Sequence, residues 1–256
     1  MTKIILIYFT VSKFLVVNGY PREASRKVDF LDMENPHSTC KFQDFPVGLY
    51  HSTAAFTGTK AVVCGGAEYV PYESNGRAKK SCYQLMETET FTELQEYSLK
   101  SARYLTASVI TPSRDLWVIG GVDDYSGLNS TELISFSGDS EAKNKFKDLQ
   151  PTLNFQLSSH CVAQLNATTA ILTGGFTAGY YVIYTYYLDL VDFKITPGPP
   201  MNQGRKSHGC GTFSFSGKII TVVAGGWDGS SHLDTTEYLD LNEADPKWQK
   251  GKTTKS

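Results

Sequence analysis

The stretch Val62-Val-Cys-Gly-Gly66 closes an apolar run on two glycines, and the chain returns to that pattern three more times. The later copies are Val118-Ile-Gly-Gly121, Leu172-Thr-Gly-Gly175 and Val222-Val-Ala-Gly-Gly226. Between the second glycines the intervals are 55, 54 and 51 residues. A β-branched run ended by a diglycine at a steady interval of about 50 residues is the mark of a repeat architecture. The pairs Gly65–Gly66, Gly120–Gly121, Gly174–Gly175 and Gly225–Gly226 suit a tight strand exit, where positive φ and close backbone approach are needed.

Upstream of each diglycine, His51, Thr106, His160 and His208 mark a first strand. The first three stand 15 residues before the second glycine and the fourth 18, with Phe215-Ser-Gly217 as a turn insertion. The runs Ala61–Cys64, Leu116–Ile119, Ala170–Thr173 and Ile219–Ala224 are continuous enough to suit strands buried on both faces. Downstream come two aromatic series, Tyr83, Phe136, Tyr187 and Tyr238, then Phe91, Phe146, Phe193 and Trp248. Their separations of 8, 10, 6 and 10 residues fit a hairpin with a variable turn. Arg103 and Arg205 stand just ahead of first strands, where they tie neighbouring loops together or face a ligand.

The chain has 256 residues, 41% hydrophobic and 20% charged, with 15 Tyr, 14 Phe and 22 Gly, a composition suited to a soluble strand-rich protein. At this length about 70–75% of the unfolded surface is buried, so folding needs neither metal nor disulfide. Residues 1–19 read as a secretory signal peptide: Lys3, a largely apolar run from Ile4 to Val17, and Val17-Asn-Gly19 before a cut at Tyr20. Lys13 interrupts that run, and a buried N-terminal strand is the alternative. The segment is too short and too charged to span a bilayer. Its removal takes away two lysines and moves the formal charge from −2 to 22 − 26 = −4. Without a basic block, nucleic acid and anionic membrane are excluded as expected partners. Asn129-Ser-Thr and Asn166-Ala-Thr are glycosylation sequons, consistent with secretion. Of the five cysteines, Cys64 and Cys82 flank neighbouring strands, while Cys161 and Cys210 follow equivalent histidines. These pairs are disulfide candidates with Cys40 left over, or else buried thiols. No spacing suits zinc.

Diglycine after an apolar strand, a downstream Tyr, a later Trp or Phe, and Arg or His ahead of the next strand resemble the kelch repeat over about residues 45–250. The resemblance implies a β-propeller of four-stranded antiparallel blades, with repeats at about 47–98, 99–152, 153–200 and 201–250 and a polar tail at 251–256. Thr106 in place of histidine, Phe in place of Trp in three repeats, and no arginine in the third repeat mark divergent blades. Residues 20–46 resemble the third and fourth strands of a blade, Val28-Asp-Phe-Leu-Asp-Met33 and Cys40-Lys-Phe-Gln-Asp-Phe-Pro46, with nothing before them. The expectation is an incomplete propeller of about four and a half blades, either a fragment of a larger propeller or one whose open edge is covered by another chain or by tail residues.

The kelch-like class with known chemistry, the copper-radical oxidases, requires two histidines and two tyrosines near the axis. Outside the repeat positions only His37 and His232 remain. No nucleophile elbow, zinc-protease, P-loop or dinucleotide motif is present, and no cofactor or metal is expected. The resulting expectation is a secreted, non-enzymatic module that binds a protein, or a glycan on one, through loops on one face. An enzyme on the same scaffold and an intracellular adaptor are the alternatives. The loop Ala67–Lys80 is the longest connection between strands, and Tyr180, Tyr181, Tyr184, Tyr186 and Tyr187 form a dense ring cluster. The expected binding residues are Tyr69, Tyr72, Arg77, Arg103, Asp123, Tyr180, Arg205 and Asp228.

Overall fold

The computed structural model is all-β, its described residues forming 24 strands and no helix. The structure describes residues 5–10, 13–17, 26–32, 34–35, 42–68, 76–136, 147–149 and 152–251. They form two compact units. The first is Met1–Val118 with Val122–Ser126 and Glu132–Asp148; the second is Ile119–Gly121 with Gly127–Thr131 and Leu149–Ser256.

The first unit begins with β1 (Ile5–Thr10), β2 (Lys13–Val17) and β3 (Val28–Asp32), an antiparallel sheet in that order. Ile5 lies opposite Val17, and Val17 opposite Val28. The stretch expected to be a leader therefore supplies two strands beside β3. The expected hairpin partner of β3 differs too, since residues 42–45 form no strand. Phe45 donates its amide to the Arg26 carbonyl at 2.6 Å, and its own carbonyl accepts from Arg26 Nε at 2.8 Å. Pro46 then has no amide to continue a ladder. Phe45 is fully buried, its ring 4.8 Å from both Tyr83 and Phe91.

Next come β4 (Leu49–Tyr50), β5 (Thr53–Phe56), β6 (Ala61–Cys64), β7 (Ala67–Glu68), β8 (Arg77–Ala78), β9 (Ser81–Leu85) and β10 (Phe91–Ser98). They make a four-stranded sheet, β5-β6-β9-β10, and a small one, β4-β7-β8. A second four-stranded sheet follows the order β11 (Ala107–Ile110), β12 (Leu116–Ile119), β13 (Thr131–Ile134), β14 (Lys147–Leu149). Strand alternation explains the burial of β6 on both faces. Ala61 and Val63 join the core around Phe45 and Leu49, whereas Val62 and Cys64 pack with Leu116, Val118 and Ile134.

The second unit contains β15 (Cys161–Gln164), β16 (Thr169–Thr173), β17 (Phe176–Thr177), β18 (Tyr180–Tyr181), β19 (Thr185–Asp189) and β20 (Ile195–Pro197). It ends with β21 (Gly209–Phe215), β22 (Lys218–Ala224), β23 (Thr236–Asp240) and β24 (Gln249–Lys250). Its sheets are β15-β16-β19-β20, β21-β22-β23-β24 and the ribbon β17-β18. Ala163, Ile171 and Met201 pack with Val223, Leu239 and Trp248. Double-sided burial holds for β6, β12 and β16 but not for β22, where buried and open positions alternate and Ile219 is 36% exposed. Phe213 and Phe215 on the adjoining β21 are likewise exposed.

Cys64 and Cys82 are bonded across β6 and β9, with their Cα atoms 4.1 Å apart. Cys161 and Cys210 join β15 to β21, with a Cα separation of 6.0 Å. Such bonds persist in oxidising compartments. Cys40, Tyr69, Tyr72 and Phe146 lie outside the described residues.

Backbone bonds correct the alignment of the four sequence copies. The first glycine of each pair donates to Ser81, Ser130, Tyr184 and Thr235, at 2.9–3.1 Å. Counting on from those acceptors, the position of Tyr187 and Tyr238 is occupied by Gln84 and Leu133. Tyr83 thus falls one residue early and Phe136 three residues late. Loop length displaces Tyr83, since 15 residues separate Gly66 from Ser81 and nine separate the second glycine from its counterpart in the other copies. Phe136 follows a loop of that common length and lies past the end of β13. His51 is displaced as well. Positive φ recurs at His51, Leu105, Ser159 and Ser207 (52–55°), and the Leu105 amide bonds the His51 carbonyl as Ser207 bonds Ser159. Ser52 therefore stands in line with Thr106, His160 and His208.

Candidate loop-face binding site

The loops that follow the diglycines are built by one set of backbone bonds. The second glycine donates to the residue four before the next first strand: Gly66 to Arg103, Gly121 to Leu157 and Gly175 to Arg205, at 2.8–2.9 Å. Its carbonyl accepts from the far end of its own loop: Lys79 for Gly66, Leu128 for Gly121, Val182 for Gly175 and Leu233 for Gly226. The residue after each diglycine pairs with the segment ahead of its own copy's first strand, as in Tyr50 with Ala67, Tyr104 with Val122, Ser158 with Phe176 and Lys206 with Trp227. These bonds hold loop side chains on a rigid frame, the usual setting for recognition residues.

Arg103 and Arg205 do not reach that surface. Both are fully buried. Arg103 forms an ion pair with Glu132, which also accepts the Lys100 and Ser101 amides at 2.6 and 3.0 Å. Arg205 pairs with Glu237 at 2.9 Å and donates to the Gly225 and Thr235 carbonyls. Glu237 also takes the amides of Asn202 and Gln203. A buried charge persists only when it is matched in this way. Of the two roles left open for these arginines, they fill the first.

Asp123 and Asp228 are turn caps. The Asp123 carboxylate accepts from the amides of Tyr125 and Ser126 at 2.8 and 2.7 Å. Asp228 Oδ1 accepts from the Ser230 amide and hydroxyl and the Ser231 amide, and Oδ2 accepts from Gln203 Nε2 at 3.1 Å. Those donors, the backbone ones foremost, hold the Asp228 carboxyl down at about 2. Asp228 therefore locks the loop 227–232 to the segment that carries Lys206.

In the second unit the loops meet around Tyr181. Its ring lies 5.2 Å from Phe176, and the Lys206 ammonium sits 4.8 Å from the Phe176 centroid and 5.4 Å from that of Tyr181. Trp227 meets the His232 ring edge-on at 4.7 Å. Two glycines permit the approach. A Cβ on Gly229 would lie 2.6 Å from the Tyr181 ring, and one on Gly204 would collide with the Tyr181 carbonyl. Tyr180, at the end of the same ribbon, is 72% exposed. Tyr184 and Tyr186 instead face Phe155, with centroids 5.6 and 6.2 Å away.

The first unit has a different surface at its diglycine loops. Tyr50 and Tyr104 stack edge to face at 6.4 Å, and Tyr50 Oη accepts the Gly76 amide. Burial, with Tyr50 and the Asp123 and Asp124 carboxylates nearby, raises the Tyr104 phenol. Arg77 is exposed on β8, opposite Glu68, and the adjacent Ala78 amide bonds Asp124 at 2.6 Å.

Among the expected residues, Tyr180 and Asp228 lie on the assembled loops of the second unit, and Arg77 and Asp123 on those of the first. Phe176, Lys206 and Trp227 escaped sequence reasoning. Their signal is positional: Phe176 and Trp227 directly follow a diglycine, and Lys206 stands three residues before a first strand. Asn129 and Asn166 are exposed, the latter in the turn between β15 and β16, where its Oδ1 accepts from Thr168. Among the described residues no three His, Cys, Asp or Glu side chains are placed to hold a metal ion, and no helix is long and apolar enough to cross a membrane. No protein-family model and no curated protein sequence matches the chain.

Proposed function

We propose that the chain is a secreted kelch-type β-propeller module that binds a protein through its diglycine loops and carries out no catalysis. The four in-phase diglycines, the recurring loop bonds and the four-stranded antiparallel sheets support the architecture. The two disulfides and the exposed sequons favour an oxidising, extracellular setting. The observation that carries the binding role is the pair of rings, Phe176 and Tyr181, beneath the Lys206 ammonium, on a frame fixed by the backbone bridge between Lys206 and Trp227. Aromatic rings with few rotatable bonds supply contact area at low entropic cost, and interfaces are enriched in them.

The test is site-specific photo-crosslinking in the protein's native secretions. A benzophenone side chain at Tyr180, beside the cluster, is expected to capture a discrete partner. The same group at Val191, in the exposed turn between β19 and β20, is expected to capture none. Equal labelling from both positions would refute a loop-face binding role.

A further inference from the structure

Resting on that binding role, the chemistry around Lys206 narrows the ligand. Three other lysines of the second unit answer a carboxylate: Lys194 pairs with Asp192, Lys218 with Asp240 and Lys247 with Asp245. Lys206 meets none among the described residues, and its half-buried ammonium rests over the Phe176 and Tyr181 rings. Its backbone is fixed, with amide and carbonyl both exchanged with Trp227 at 3.0 Å. The corresponding positions of the second and third copies hold Tyr104 and Ser158, so the cation is particular to this loop.

The polar groups beside it are already occupied. Both Asp228 oxygens accept bonds, and Gln203 donates to Asp228 and accepts from Thr235. A sugar would need such groups free for its hydroxyls. What remains is one oriented positive charge beside half-buried ring surface, which fits a carboxylate with an apolar neighbour. We propose that this cluster takes an acidic peptide segment of the partner protein. A Glu or Asp carboxylate docks on Lys206, and an adjacent apolar or aromatic side chain lies against Phe176 and Tyr181. The chain carries a net formal charge of −2, so the preference arises at short range from Lys206 rather than from the field of the whole molecule.

The experiment is fluorescence anisotropy on the full chain with three labelled probes: a Glu–Phe alternating peptide, its Lys–Phe counterpart and a sialylated oligosaccharide. The Glu–Phe peptide is expected to bind about fivefold or more tighter than the Lys–Phe peptide, the scale of one partly screened ion pair. That preference should fall on raising salt. Lys206→Gln should abolish it and Lys206→Arg should keep it, with unchanged thermal unfolding in both. Equal binding of the two peptides, a preference that survives Lys206→Gln, binding of the oligosaccharide alone, or binding of no probe would each overturn the proposal. Crosslinking from Tyr180 in the Lys206→Gln background separates the two claims. Capture that persists leaves the loop-face role standing without the acidic preference, whereas a Tyr180 site that never captures removes the role itself.

Discussion

The two fully buried arginines, Arg103 and Arg205, each belong to a matched set, and the four sequence copies show it. Where copies two and four carry Arg103 with Glu132 and Arg205 with Glu237, the aligned positions of copies one and three carry Leu49 with Tyr83 and Leu157 with Tyr186. Leu49 and Leu157 are each 1% exposed, so the sites are buried whichever set fills them. Neither charge occurs alone, as the cost of an unpaired buried ion requires. Arg205→Leu is therefore expected to lower stability by about 3–5 kcal/mol, since it strands Glu237. Adding Glu237→Tyr, which recreates the set found in copy three, is expected to recover a sizeable part of that loss. Urea unfolding of the two single variants and the double variant gives the coupling directly. Additive losses would show that the pair does not act as a unit. The arginines were visible in the sequence, but their role was not. Pairing Arg205 with Glu237 requires the strand register, and the notional alignment through Tyr83 and Phe136 put that register out by one and three residues.

Strands and their links were legible wherever a residue type is tied to a backbone geometry. The diglycines located β6, β12, β16 and β22, and both disulfides were among the candidates, Cys64–Cys82 from neighbouring strands and Cys161–Cys210 from equivalent positions in successive copies. His51 was misplaced because the recurring feature there is a positive φ, adopted by His51, Leu105, Ser159 and Ser207 in turn, with no shared side chain to betray it. The loop site was half legible for a related reason: Tyr180 announces itself by composition, whereas Lys206 matters only through the rings that β17 and β18 bring beneath it. The two disulfides differ in what they join. Cys64–Cys82 closes 18 residues between strands already paired, and Cys161–Cys210 closes 49 residues between two sheets. Loop-closure entropy assigns them about 3 and about 4 kcal/mol. The native ladder β6-β9 does not lower the entropy of the unfolded chain, so that ranking should survive experiment. Replacing Cys161 and Cys210 by alanine is expected to cost more in denaturant midpoint than replacing Cys64 and Cys82. The reverse order would mean that strain or residual unfolded structure outweighs chain entropy here.

For the molecule as a whole, the two readings of residues 1–19 make opposite demands on β3. If they are a secretory leader, the mature protein begins near Tyr20 and lacks β1 and β2. Val28–Asp32 then loses the partner strand that faces it residue for residue from Lys13 to Val17. Phe45 would still hold the neighbouring segment down, because its amide and carbonyl bond Arg26 and its ring packs on Tyr83 and Phe91 without help from β2. The consequence spreads past β3, because β1 also lies beside β5, and it leaves an unpaired strand edge, the kind that natural proteins cover. Hydrogen exchange followed by mass spectrometry distinguishes the cases. In full-length protein the amides of Val28–Asp32 that face β2 are expected to be protected. In protein beginning at Tyr20 they should exchange far faster, while Val62–Cys64 and Tyr83 keep their protection. Should protection of Val28–Asp32 persist after removal of residues 1–19, some other strand must occupy the place of β2. Its dependence on protein concentration would then tell a second chain from a rearranged segment of the same one.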